Sequence, residues 1–243
     1  MTALRIWSGF MAVVFAAVET HLNLTVYHGK PLPILLPYYV MAAWLLAGAL
    51  VPRHGWHLLV SAWGVTLGHT YLVYVENLLL RESSSPLVTA LRNTTISAAL
   101  SLALANYCAW QISRQGVAAR RSMPAVRVAG LLLAMLVVAG QLTTGWSEAK
   151  PTPMVAPYFV LAALLALPVF APRLRAPLVL SIWSVAFGFF YAEFAGFLVF
   201  FPRPFHIVAI AGVAASVSLA GVILQSAAMT ARSVSRAPDS AET

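Results

Sequence analysis

Few residues in this chain can do chemistry, and they are grouped. His69 and Glu76 lie seven residues apart in GHTYLVYVEN, Glu193 lies in SIWSVAFGFFYAEF, Glu19, His21 and Asn23 share VETHLN, and Arg92 and Asn93 are adjacent. Carboxyl and imidazole groups in apolar surroundings can bind cations or relay protons. On a helix, seven residues separate His69 and Glu76 by roughly 20° in azimuth, so they face the same way. Glu19 and His21 point to opposite sides; Glu19 shares its side with Asn23, and His21 with His28. His69, Glu76, Glu193, Glu19, Arg92 and Asn93 are therefore the candidates for binding a substrate or ion. His21, His69 and Glu76 offer nitrogen and oxygen ligands for a metal, but no short ligand motif names one, and no cofactor is specified.

The usual catalytic signatures are missing. The sequence contains no H-E-x-x-H, C-x-x-C, Walker loop or G-x-S-x-G. The one aspartate, Asp239, stands in the polar C-terminal tail, so a Ser-His-Asp triad has no acid. An enzymatic role is not expected.

The setting explains why these groups are costly. The 243-residue chain is 60% hydrophobic and 9% charged, with mean hydropathy +0.83. Soluble domains carry about 25% charged residues, so a water-facing surface cannot be covered and a bilayer is expected. The net charge of +8 comes from basic residues scattered singly between apolar spans. That pattern fits topology signals rather than a nucleic-acid face. The N-terminal segment resembles a signal peptide but lacks a small-x-small cleavage site before Glu19, so it is expected to be retained. The single cysteine, Cys108, rules out an internal disulfide.

The elements that must hold the site are expected to be eight transmembrane helices in two copies of one unit. KPLPILLPYYVMAAWLL (30–46) aligns with KPTPMVAPYFVLAALLA (150–166), and SAWGVTLGHTY (61–71) with SIWSVAFGFFY (181–191). Residues 21–80 match 141–200 without a gap at 19 positions; chance identity of about 8% would give roughly 5. The spans fall at 4–27, 32–51, 55–80 and 86–112, then 125–146, 152–171, 175–201 and 205–229. The domains follow: a first four-helix repeat at 1–113, a linker at 114–124, a second repeat at 125–230 and a disordered tail at 231–243. Pro33 and Pro153 suit the first helical turn, and Pro37 and Pro157 are expected to kink or offset the entry.

Four spans per copy make the repeats parallel, related by a pseudo-two-fold along the membrane normal. Ten basic residues on one side against five on the other put both termini in the cytoplasm, in a bacterial-type inner membrane. His69, Glu76, Glu193, Glu19, Arg92 and Asn93 then occupy the outer half of the bilayer. If the third and seventh spans meet, His69, Glu76 and Glu193 converge. The ionisable groups differ between copies, so one asymmetric site per chain is expected. The small-residue stripe of Gly212, Ser216 and Ala220 in the last span needs only close helix packing to explain it.

Three functions fit this pattern. The first is transport or conduction of a small solute, cation or protons. The second is a non-catalytic membrane subunit, receptor or assembly factor. The third is a metal- or haem-binding redox protein. Structural readings compete: Glu76 and Arg92 as an ion pair between neighbouring helices, His69 in a satisfied interhelical hydrogen bond, Tyr71 and Tyr191 as packing residues. Expected partners are the lipid bilayer and either further copies or other membrane subunits, not nucleic acid. The four-plus-four plan is similar to that of haem A synthases, and the span number to that of membrane lysoplasmalogenases. The chain lacks the paired histidines with Glu-x-x-His of the former and the intramembrane aspartates of the latter, and is assigned to neither.

Overall fold

The computed structural model describes residues 2–25, 28–29, 37–51, 55–80, 124–147, 152–199 and 205–234. The described segments form seven helices: α1 (Thr2–Thr25), α2 (Pro37–Leu50), α3 (Gly55–Leu80), α4 (Pro124–Ser147), α5 (Thr152–Phe170), α6 (Ala176–Val199) and α7 (Phe205–Val234). Each coincides with an expected span. The span expected at 86–112, with Arg92 and Asn93, lies outside the described residues.

Three stretches are long and apolar enough to cross a bilayer: Pro124–Thr143, Ala176–Gly196 and Phe205–Met229. This is the build of an integral membrane protein. The outward side chains agree. Ile6, Phe10, Val13, Leu132, Met135, Val160, Val213, Ile223 and Leu224 are all exposed. Spread over several helices, such a surface would be a liability in water but suits contact with lipid.

The core is built where α3 crosses α6. Of the three apolar stretches, the one in α6 is 67% buried, against 28% in α4 and 33% in α7, so α6 is the central element. Glycines bring the two backbones together. A Cβ on Gly68 would lie 2.0 Å from the Val185 carbonyl oxygen, and one on Gly188 would lie 2.1 Å from that of Val65. A Cβ on Gly64 would likewise lie 2.6 Å from the Cβ of Ser184. Later residues of α3 meet later residues of α6, so the helices run parallel. The Gly68–Val185 and Gly188–Val65 contacts are reciprocal: each residue of one is paired with a residue of the other at an offset of 120. Absence of side chains at a crossing lets dispersion and weak polar contacts act at short range, which is how helices associate in lipid. Trp63 and Trp183 are each 1% exposed beside this crossing. The indole N–H of Trp63 donates to Ser8 Oγ of α1 (3.2 Å), and the ring of Trp183 fills the space left by Gly221 of α7.

Two hairpins flank the crossing, α1 with α2 and α4 with α5, while α7 packs along α6. An arginine near the start of each hairpin fastens its far end. Arg5 Nη2 donates to the Val51 carbonyl (3.1 Å), and Arg127 Nη2 to that of Pro172 (3.0 Å). Both carbonyls lie just past a helix C-terminus, where backbone acceptors lack intrahelical partners and a cation is favoured. Pro153 falls in the first turn of α5, as expected. Pro37 is the first described residue of α2, so its expected kink or offset lies at the edge of the described residues.

Candidate functional site

Glu19, on the last two turns of α1, has 0% of its surface exposed. Its carboxylate is directed at the backbone N–H of Tyr38, on the first turn of α2. A helix N-terminus leaves its first amides without partners and favours negative charge. Even so, neither carboxylate oxygen closes a hydrogen bond with any described residue. The phenols of Tyr38 and Tyr191 lie within electrostatic reach of Glu19. One turn further along the same side of α1, the side-chain oxygen of Asn23 is also buried without a partner among the described residues.

His69 completes this group from α3. Its ring stands edge-on to Tyr38, with centroids 4.8 Å apart and planes at 75°. It is 5% exposed, and among the described residues neither ring nitrogen has a hydrogen-bond partner. Tyr38 thus contacts the imidazole of His69 and lies within the field of Glu19. Buried polar atoms are nearly always satisfied, by protein, water or an ion.

Glu193 belongs to a second group, around α6. It is 8% exposed, and its Oε1 accepts a short hydrogen bond from the phenol of Tyr158 on α5. Tyr158 in turn stands edge-on to Phe189, at 5.2 Å and 89°. Glu193 and Tyr158 form the polar part of a cavity of about 60 Å³, otherwise lined mainly by Val137, Phe190, Ile207 and Ala211, with Gln141 of α4 at its edge. A cavity of roughly 10–15 Å³ measured this way holds a water, so this one takes a few waters or a small ion. It is far below the roughly 300 Å³ of a drug-sized site. A larger groove of about 540 Å³ between α4 and α5 is apolar throughout and contains no titratable group.

The sequence candidates are therefore distributed over two neighbouring groups. His69 joins Glu19 through Tyr38; Glu193 joins Tyr158. The recorded partners of His69 and Glu193 are different tyrosines on different helices: Tyr38 of α2 for His69 and Tyr158 of α5 for Glu193. Glu76 lies in α3, but its side chain is outside the described residues, as are Arg92 and Asn93. His21 is exposed, and among the described residues no three His, Cys, Asp or Glu side chains are grouped to hold a metal. The residues that sequence reasoning missed are Tyr38 and Tyr158. Both follow a proline in the aligned segments KPLPILLPYYV and KPTPMVAPYFV.

Compared with protein-family models, curated proteins and solved structures, the chain matches none.

Proposed function

We propose that this protein moves a small cation, protons or a small polar solute across a membrane, with Glu193, Glu19 and His69 on the path. The observation that carries the reading is Glu193. A carboxylate inside an apolar helix assembly is expensive and defaults to function, and this one lines a cavity large enough for a few waters or a small ion. Tyr158 donates to the carboxylate and steadies it at the cavity wall. Glu76 with Arg92 and Asn93 would extend the same path in the outer half of the bilayer.

The parallel four-helix repeat remains part of this proposal. Several pairs of contacts 120 positions apart support it: Gly68 on Val185 with Gly188 on Val65, Tyr38 edge-on to His69 with Tyr158 edge-on to Phe189, and Val51 N–H to Ala47 with Ala171 N–H to Leu167. On this reading the scaffold is doubled and the chemistry is not. One tyrosine faces a histidine where its counterpart faces a phenylalanine.

The test is ion flux in proteoliposomes. Wild type should collapse an imposed pH or cation gradient faster than protein-free vesicles, and Glu193→Gln should reduce the rate at least tenfold. Equal leak in wild-type, variant and empty vesicles would overturn the transport reading in favour of a subunit or assembly role.

A further inference from the structure

The group around Glu19 differs from that around Glu193 in what it lacks. Its unmatched atoms are two carboxylate oxygens of Glu19, the side-chain oxygen of Asn23 and two ring nitrogens of His69, all without hydrogen-bond partners among the described residues. A neutral imidazole supplies one donor, so acceptors exceed donors by a wide margin. One proton on Glu19 would satisfy a single oxygen. An alkali cation would suit the oxygens, but imidazole nitrogen is a poor ligand for hard cations. A transition metal would suit His69, yet no third metal-ligating side chain is grouped with Glu19 and His69 among the described residues. A cation that itself carries N–H donors meets all the acceptors at once. The walls also fit it. Tyr38 stands against His69, and both Tyr38 and Tyr191 lie within the field of Glu19. Aromatic rings attract a desolvated ammonium by their quadrupoles.

From this we infer that Glu19, Asn23, His69 and Tyr38 form a binding site for an ammonium-class cation, the ammonium ion or a small primary amine. Glu19 supplies the counter-charge, Asn23 and His69 accept N–H hydrogen bonds, and Tyr38 closes the site as an aromatic wall. The site is buried, so the cation must shed its water, and ions that hydrogen-bond poorly to imidazole are disfavoured. The role of the site as a station for transported substrate rests on the transport reading above; its occupancy does not.

Equilibrium binding of radiolabelled methylammonium to the purified full-length protein in detergent tests this directly. Saturable binding near one site per chain is expected, displaced by excess ammonium and not by the same concentration of sodium or potassium. Glu19→Gln should weaken it at least tenfold. His69→Phe should do likewise while keeping the edge contact with Tyr38, since Phe189 makes that contact with Tyr158. Thr143→Ala, an exposed α4 position bonded only to its own helix in the recorded contacts, should bind as wild type. If Glu19→Gln does not elute as a folded protein, His69→Phe and Asn23→Leu decide the matter. Absence of saturable binding, binding insensitive to these substitutions, or equal displacement by sodium or potassium would overturn the inference. Flux of protons without methylammonium binding would leave the transport reading standing and remove this site. Binding without any flux would keep the site and remove the transport reading.

Discussion

Tyr158 and Trp63 show how single side chains in this protein divide between chemistry and support. Tyr158 reaches Glu193 with its phenol, and the hydroxyl is the only atom lost in Tyr158→Phe. The edge contact with Phe189 would survive. Glu193 would lose its positioning donor, and flux should fall several-fold with little change in thermal stability. A purely structural tyrosine would give the opposite pattern. Trp63 is a supporting residue: its indole links α3 to α1 through Ser8, which also donates to the Leu4 carbonyl (2.9 Å). A double-mutant cycle of Trp63→Phe and Ser8→Ala should return a coupling of about 0.6 kcal/mol, the average for interhelical hydrogen bonds in membranes. Flux should be unaffected beyond the loss of folded protein.

At the scale of helices, the α3–α6 crossing organises the rest. Gly68→Ala or Gly188→Ala would drive a methyl group into a facing carbonyl. Overpacking of this kind costs roughly 1–3 kcal/mol, and each variant should lose thermal stability accordingly. Gly196→Ala, which opens onto free space on the same helix, should change it little. The positions of the helices were legible in the sequence because runs of about 20 apolar residues broken by Lys-Pro, Pro-Arg and Gly have few other readings. The meeting of α3 and α6 was legible only as a condition, since apolar helices with no polar stripe do not reveal which face packs. The roles of Tyr38 and Tyr158 were hidden for a related reason. An aromatic residue shared by two copies is explained equally well by packing, and only the structure shows an acid beside each phenol. His69 and Glu193 stood out by cost alone, but cost does not name partners, so their separate tyrosines could not be anticipated. The fastening of α1 to the end of α2 by Arg5, and of α4 to the end of α5 by Arg127, was missed because these arginines sit 122 positions apart. They fall outside a gap-free alignment at 120.

For the whole molecule, the account joins a doubled scaffold to undoubled chemistry. If the proposed parallel repeat holds, both termini share one side of the membrane, and the excess of basic residues at 114–127 and near both termini predicts the cytoplasmic side. Reporter fusions at either end should therefore both be active on the cytoplasmic side; reporters on opposite sides would mean an odd number of spans and remove the parallel repeat. On the proposed reading, the group around Glu193 and the group around Glu19 are two separate stations for charge. The most direct test is the flux measurement on reconstituted wild type, Glu193→Gln and Tyr158→Phe in the same vesicles. The account predicts a gradient collapse that is fast in wild type, several-fold slower in Tyr158→Phe and at least tenfold slower in Glu193→Gln. Identical rates in all three, no faster than in empty vesicles, would contradict it.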